Sequence, residues 1–507
     1  MQYIIGIDIG TSNTKAVAFG MAGEILGNAS VSYGAIQSAP GYHEQDPEIF
    51  FNAVMSTLQE VVEKNKHHQL TGVSFSSAMH GLMAVDKRGK PITNIITWAD
   101  LRSKEQAQRL KDSEIGNRIY QHTGTPIHPM SPLCKLMWMK ENDVVTFKSA
   151  FKFISIKEYI FFKLFGEYLV DHSIASATGL FDIYSLGWYN ESLVVAGIHA
   201  GQLSKPVSTT YIINNLKKEH VEFLGIDAGT RFIIGASDGC LANLGTNAVD
   251  PGDTAITIGT SGAVRMISER PQYDSKQRIF NYLLTETKYV SGGAINNGVV
   301  LLKWYAEHFL EYSFTSMEGF NWYMKKALAA PAGSSGLIFL PYVMGERAPV
   351  WDADAKGVFF GIHSKHTQAH FMRAIIEGIS FALFQVTKSL EETVGPVTNI
   401  YASGGFIHSK EWLQILADIL GMKIHVTNAS DASALGAAIL GFTAIGVLNN
   451  LSDAKSFISV QETYFPNEEQ HRIYMGNYAV YASLYFKLKE EFLKLETLHT
   501  FGQISIS

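Results

Sequence analysis

The sequence predicts an α/β protein built twice over, two layered domains of one plan in a single chain. Three observations carry that prediction. The opening is rich in strands and then alternates helix with strand, the pattern of an α/β layer architecture. The tetrapeptide Ile-Gly-Thr-Ser stands at a turn between two apolar strands in each half, in IGIDIGTSNTK over Ile5–Lys15 and in TAITIGTSGAVR over Thr254–Arg265. At 507 residues the chain also exceeds the size at which one hydrophobic core keeps growing.

The elements follow in order. Tyr3 to Ile9 is short, apolar and closed by Gly10, as a buried strand is. Thr14 to Phe19 is a second such run, and Met21-Ala22-Gly23-Glu24 turns the chain before Ile25. Asp46 as N-cap and Pro47 at the first helical position open a helix over Pro47 to Lys64, and Thr71 to Ser76 is the next strand. A boundary falls near Asn247 to Gly252, where Asp250-Pro251-Gly252-Asp253 is turn chemistry, giving domains 1–246 and 247–507. In the second, Asn399 to Ala402 is a strand running into Ser403-Gly404-Gly405. A helix over Lys410 to Leu420 ends at Gly421, and Lys423 to Val426 starts another strand. Glu469 to Leu498 reads as a long, Tyr-rich helix whose aromatic stripe is expected to pack against the other domain.

Composition excludes several classes. Charged residues make up 17% and hydrophobic residues 46%, so bulk disorder is excluded. The formal net charge of -6 lacks the basic footprint of a nucleic-acid binder. Two cysteines, Cys134 and Cys240, form no disulfide framework and point to a reducing compartment. The first residues lack a basic segment and carry Asp8 inside their apolar run, so they read as a strand and not as a signal peptide. No window of about 18 uninterrupted apolar residues is present to span a membrane. The expectation is a cytoplasmic protein.

Gly10-Thr11-Ser12 and Gly259-Thr260-Ser261-Gly262 have the residues a phosphate site needs, glycines for close backbone approach and short hydroxyls as donors. A structural hairpin uses the same residues; it is the matched pair that favours phosphate. Asp8 lies two residues before the first turn, where a carboxylate is expensive unless paired or metal-bound. That makes it an anchor for nucleotide-bound Mg2+ or, more plainly, the cap of its own turn. Gly235-Ala236-Ser237-Asp238-Gly239 follows the strand Phe232 to Ile234 and is a formal G-x-S-x-G match, which would make Ser237 the nucleophile of a serine hydrolase.

Longer motifs resemble the FGGY family of carbohydrate kinases over nearly the whole chain. DIGTSNTK at Asp8–Lys15 is similar to that family's first phosphate hairpin. MSPLCKLMWMKE at Met130–Glu141 resembles its first signature, with Lys135 and Trp138 in register. GVFFGIHSKHTQAHFMRAIIE at Gly357–Glu377 resembles its second, with His370, Ala374 and Glu377, and GERAPVWD at Gly345–Asp352 is similar to the segment just upstream. The resemblance implies duplicated actin-like (ribonuclease H-like) ATPase domains around a central cleft, with sugar mainly on the first and ATP on the second. It implies Asp238 as catalytic base, with Asp8 as its acidic companion and both carboxylates on the Mg2+ side. Thr11, Ser12, Asn13, Lys15, Gly259, Thr260, Ser261, Gly404 and Gly405 fall at nucleotide positions. Met79, His80, Asp100, Arg102 and Asp238 face the sugar. One departure is Gly404-Gly405-Phe406, where the family often has three glycines; Phe406 either packs beside adenine or turns inward.

The stretches TGTPIHPMSPL and ISIKEYIFFKLFGEYLVDHSIASATGLFDI resemble the gluconokinase branch. An open-chain sugar acid calls for a cation near its carboxylate, and Arg102, Lys157 and His128 are the candidates. Xylulokinase is the nearest alternative, sharing a Met-His pair and a W-x-D-x-R element. A non-catalytic sugar sensor would have lost Asp8 or Asp238. The implied partners are a small sugar or sugar acid and ATP, without nucleic acid or membrane; a homodimer is an open expectation.

Overall fold

The computed structural model describes residues 1–312 and 316–504. Strands β1 (Gln2–Ile9), β2 (Asn13–Gly20) and β3 (Ile25–Ser32) lead to helix α1 (Pro47–Lys64) and strand β4 (Gln69–Ser77). Strand β5 (Arg231–Ser237) runs directly into helix α2 (Asp238–Gly245). Further on come β6 (Asp253–Ile258), β7 (Gly262–Ser268), α3 (Val300–Phe309) and α4 (Gln368–Thr393). The last elements named here are β8 (Asn399–Ser403), α5 (Lys410–Leu420), β9 (Ile424–Thr427), α6 (Ala432–Ala444) and α7 (Glu468–Ile504).

Strand β1 is central because it can be: Ile4, Ile5, Ile7 and Ile9 are all buried, so both of its faces are covered. Helix α1 starts where the Asp46 carboxylate accepts the Glu48 N–H at 2.9 Å, with Pro47 in a position that needs no donor. Its Phe50, Val54, Leu58 and Val61 share one core with Ile5, Ile7, Ile9, Phe75 and Phe232.

The first sheet has the order Ile212–Ile213, β5, β4, β1, β2, β3. Strands β1 and β2 pair antiparallel, whereas β1 with β4 and β4 with β5 pair parallel. Six strands of the second sheet repeat this plan in the order Val460–Tyr464, β9, β8, β6, β7, Tyr289–Ile295. There β6 and β7 are antiparallel, and β6 with β8 and β8 with β9 are parallel. Even the outer strand is antiparallel in both sheets. The Ile-Gly-Thr-Ser repeat therefore marks a duplicated sheet, with each copy at the hairpin of its first two strands.

Two compact units result. The first comprises Met1–Pro251, Ile267–Ser291 and Asn428–Ser459; the second comprises Gly252–Met266, Gly292–Thr427 and the chain from Val460. This grouping differs from a single cut near residue 247. Helix α6 explains the difference, because it packs on β1 and α2 with backbone against backbone. A Cβ on Gly6 would stand 2.1 Å from the Ala434 carbonyl oxygen, one on Gly245 1.9 Å from that of Ala432, and one on Gly436 2.0 Å from that of Leu241.

The aromatic stripe of α7 differs from expectation as well. Tyr474, Tyr478 and Tyr481 pack on Phe381 of α4, inside their own unit. The Tyr474 hydroxyl accepts from Arg373 at 2.9 Å, and Tyr485 donates to Asp352 at 2.8 Å. The stripe answers the long apolar helix α4, which presents Phe381 and Phe384 to it.

Gly436→Ala is expected to destabilise the protein by about 1–3 kcal/mol, since the new methyl meets backbone that cannot move aside. Gly476→Ala, on an exposed turn of α7 with nothing within 4 Å of the new carbon, is expected to stabilise by about 0.5–1 kcal/mol. Urea denaturation of the two variants should move in opposite directions.

Candidate active site

The carboxyl ends of β1, β4 and β5 converge on a cluster of acids. Asp8 is the penultimate residue of β1 and accepts a hydrogen bond from Ser76 Oγ of β4 at 2.7 Å. Asp238 is the first residue of α2, and its Oδ1 accepts the Gly239 N–H at 2.6 Å. Asp431, immediately before α6, pairs with Lys15 of β2. Burial, then Asp238, then Asp431 push the Asp8 carboxyl up to about 7, while Ser76 and Lys15 pull it down. Three carboxylates and one lysine thus share one electrostatic site in the first unit.

Beneath this site lies Lys157, fully buried, whose Nζ donates to Asp171 at 2.8 Å and to the Ala236 carbonyl at 3.1 Å. It props the end of β5 from which Asp238 projects. Ser237 is buried, and its hydroxyl and N–H both meet Ser173 Oγ, at 3.0 and 3.2 Å. A serine sequestered against another serine is no nucleophile, so the hydrolase reading falls.

The first hairpin is tied from the segments that carry Gln45 and Trp98. The Trp98 indole N–H donates to Thr11 Oγ1 at 3.0 Å, and Gln45 Nε2 to the Thr11 carbonyl at 2.7 Å. The Gly10 N–H closes the turn on the Asn13 carbonyl at 2.9 Å, leaving Ser12 and Asn13 exposed. Thr11, Gln45, Met79, Gly81, Thr97 and Trp98 surround a cavity of about 20 Å³. That is room for about one water and not for a sugar.

His80 is buried with φ of 67°, a left-handed backbone of the kind that clusters at functional sites. Its Nδ1 meets the Ala177 carbonyl at 2.8 Å, and Tyr282 stands edge-on to its ring with centroids 5.7 Å apart. The His80 carbonyl is held by Lys135, whose buried Nζ also donates to the carbonyls of Ile96 and Thr97. Burial lowers that ammonium to about 7. Lys135 is thus a fastening for the backbone at His80, Ile96 and Thr97.

Asp100 and Arg102 bind each other. Asp100 accepts the N–H groups of His43 and Arg102 and two guanidinium hydrogen bonds, which fills both of its oxygens. Arg102 also donates to Glu44 at 2.5 Å and lies 3.9 Å over the Tyr42 ring. Two of the three cations named from sequence, Arg102 and Lys157, therefore already have carboxylate partners. The third, His128, is buried, and its Nδ1 accepts the Met130 N–H at 3.2 Å.

In the second unit, Gly259-Thr260-Ser261 forms the β6–β7 turn with Thr260 exposed. The Gly298 N–H donates to the Thr260 carbonyl at 3.0 Å and the Val299 N–H to the Gly259 carbonyl at 2.8 Å. Gly404 and Gly405 lie exposed at the end of β8, beside the end of β6, where Thr257 and Ser403 hydroxyls are 2.9 Å apart. Phe406 turns inward, fully buried, edge-on to Trp412 at 5.9 Å. Glu377 of the second signature is buried, pairs with Arg373 and accepts from Gly333 and Ser334, so it is a structural carboxylate.

Sequence reasoning missed Asp431 and Tyr282, and touched Trp98 only as part of the W-x-D-x-R element. An acid just before the small-residue run ASALGAA was the signal available for Asp431; Tyr282 left none. A cavity of about 1180 Å³ is lined by Gln2, Gln69 and Arg231, the first residues of β1, β4 and β5. It opens at the wrong end of the strands for a ligand site of an open α/β sheet.

A divalent cation fits the acid cluster, since three carboxylates there face one lysine and leave Asp8 hard to ionise. Among the described residues no group of three or more His, Cys, Asp or Glu side chains could by itself hold a metal. That suits an ion that takes one or two carboxylates and completes its shell with water and phosphate. No helix among the described residues is long and apolar enough to cross a membrane.

Known proteins share this architecture. The N-terminal domain of the FGGY family of carbohydrate kinases matches residues 3–245, and its C-terminal domain matches residues 254–445. The gluconokinase of Bacillus licheniformis is 40% identical over 500 residues, covering 97% of this chain and 98% of that protein. A gluconate kinase structure from Lactobacillus acidophilus superposes with a TM-score of 0.93 at 36% identity, covering 97% of this chain and 99% of its own. A ligand-bound xylulose kinase structure from the same organism has the same TM-score and identity, covering 98% and 100%.

The raised Asp8 carboxyl carries a stability signature. Its proton is held more tightly in the folded than in the unfolded chain, so its contribution is full below pH 3.8 and is lost as pH rises through about 7. Asp8→Asn removes the charge and keeps the shape. In metal- and nucleotide-free buffer it is expected to melt above the parent at pH 8, with the gap closing toward pH 5; a gap that stays constant with pH refutes the account.

Proposed function

The chain belongs to the FGGY family of carbohydrate kinases, and we propose that it transfers the γ-phosphoryl group of ATP to the terminal hydroxyl of gluconate, giving 6-phosphogluconate. The observation that carries the substrate is the full-length likeness to a gluconokinase. In this reading Asp238 accepts the proton of the attacking hydroxyl. Its position at the first turn of α2 gives it a rigid base, and Lys157 steadies the strand end behind it. Met79 and His80, with Asp100 and Arg102 behind them, shape the sugar side within 1–246. Gly259, Thr260, Ser261, Gly404 and Gly405 within 247–507 offer amides and hydroxyls to the nucleotide, and Thr11, Ser12, Asn13 and Lys15 do so from the first hairpin. Magnesium is the cation we assign, neutralising phosphate charge when bound, with Asp8 and Asp238 as its protein-side carboxylates.

Xylulose is the second reading, and one observation favours it. Arg102 and Lys157 are already neutralised by Asp100, Glu44 and Asp171, so neither brings an unpaired charge to a sugar carboxylate. If gluconate is the substrate, its carboxylate is received by groups other than Arg102 and Lys157.

A substrate panel decides between the two. Gluconate is expected to show the highest kcat/KM among gluconate, xylulose, ribulose and glycerol; a xylulose value well above that of gluconate would overturn the assignment. Asp238→Asn is expected to lower kcat by about 10²–10⁴-fold with sugar affinity preserved, whereas Ser237→Ala costs far less. Near-normal turnover in folded Asp238→Asn would falsify the base.

A further inference from the structure

The segment Gly345–Asp352 contains a carboxylate to which the reading above gives no task. Glu346 is completely buried in the second unit. Burial pushes its carboxyl up to about 7 against the pull of its donors. A buried carboxylate is a poor device for stability, since well-packed apolar replacements are often as stable or more so. Its hydrogen bonds show what it holds. The Asn296 N–H donates to Oε1 at 2.6 Å, the Arg347 N–H to the same oxygen at 2.8 Å, and Asn297 Nδ2 to Oε2 at 3.3 Å.

The two asparagines are fixed from the same segment. Asn297 donates to the Gly345 carbonyl at 2.8 Å and accepts the Met344 N–H at 3.1 Å. Asn296 donates to the Met344 carbonyl at 3.1 Å and accepts from Arg347 Nε at 2.7 Å. The next two residues are Gly298 and Val299, whose amides hold the carbonyls of Thr260 and Gly259. The approach there is too close for any side chain: a Cβ on Gly298 would stand 2.6 Å from the Gly259 oxygen and 2.7 Å from that of Ser261. An unbroken run of hydrogen bonds and peptide links thus leads from a buried carboxylate to the tip of a glycine-rich turn.

We infer that Glu346 is a positioning residue for the nucleotide: by locking Asn296 and Asn297 it fixes Gly298 and Val299, which aim the Gly259-Thr260-Ser261 turn at phosphate. The inference rests on the phosphate reading of that turn. The Gly259 and Thr260 carbonyls are held by Val299 and Gly298, and the Gly259 N–H closes the turn on the Ser261 carbonyl at 2.8 Å, so the backbone is fixed before phosphate arrives and the Thr260 and Ser261 donors need no rearrangement.

The test separates nucleotide from sugar. Glu346→Ala, Glu346→Gln, Asn297→Ala and Gly298→Ala are compared by calorimetric ADP affinity, KM for ATP, and equilibrium sugar affinity. Glu346→Ala and Asn297→Ala are expected to weaken ADP binding about tenfold or more, the scale of one lost hydrogen bond to a charged group, with sugar affinity within about twofold. Glu346→Gln keeps an oxygen for the two backbone donors and is expected to restore most of the loss. Unchanged ADP affinity in folded Glu346→Ala, or in Asn297→Ala if the former does not fold, overturns the inference; so does an equal loss of sugar and nucleotide binding. Gly298→Ala tells the two levels apart. If it weakens ADP binding while the Glu346 and Asn297 variants do not, the turn binds phosphate and Glu346 does not position it. If it too leaves ADP binding unchanged, the phosphate reading of the turn itself is wrong.

Discussion

Backbone-to-backbone packing of helix α6 on β1 and α2 is the contact on which the acid cluster of the first unit depends. Gly6, Gly245 and Gly436 each face a carbonyl oxygen at a distance no side chain could share. Because nothing separates these elements, the amino ends of α2 and α6 arrive at the carboxyl end of β1. Each amino end carries an acid there, Asp238 and Asp431, and the helix ends help hold negative charge. A third acid, Asp8, completes a site with one lysine to balance it.

Around the site, ionic groups serve as scaffolding. Asp100, Arg102 and Glu44 form a closed set, Lys157 and Asp171 another, and Lys135 gathers three carbonyls alone. Buried pairs of this kind add little net stability, because desolvation offsets attraction. What they provide is fixed geometry, which catalysis needs to within a fraction of an ångström. The left-handed backbone at His80 is held by this frame, with Lys135 on its carbonyl and Ala177 on its ring. The second unit reuses the sheet plan and fastens its turn differently, from Gly298 and Val299 at the start of α3. The same segment that supplies Glu346 reaches α7 through Asp352 and Tyr485, so the long C-terminal helix braces the loop behind that turn.

Much of this was legible in the sequence because it is local. A strand closed by glycine, a helix opened by Asp46 and Pro47, and a tetrapeptide repeated at equivalent hairpins are all encoded in a few adjacent residues. Asp8, Asp238 and the two Gly-Thr-Ser turns could be picked out for the same reason: each combines a residue type with a place at a strand end. The long family-like segments then tied these pieces to phosphoryl transfer. Sequence by itself determined the fold class and the duplication, and it singled out two of the three clustered acids, Asp8 and Asp238.

Only the tertiary structure decided which charges are available and which side chains meet. Arg102 and Lys157 read as open cations until Glu44, 58 residues before Arg102, and Asp171, 14 residues after Lys157, close on them, with Asp100 beside Arg102 completing the first set. Phe406 had two possible directions, and Trp412 settles it inward. Asp431 lies 416 residues from Lys15, and no local pattern connects them. The aromatic stripe of α7 declared an apolar face without declaring its partner, which proved to be α4 of its own unit. The physical reason is common to all four. Periodicity and turn chemistry are properties of neighbours along the chain, whereas charge pairing and close packing depend on distances that exist only once the sheet has formed and α6 has closed on it.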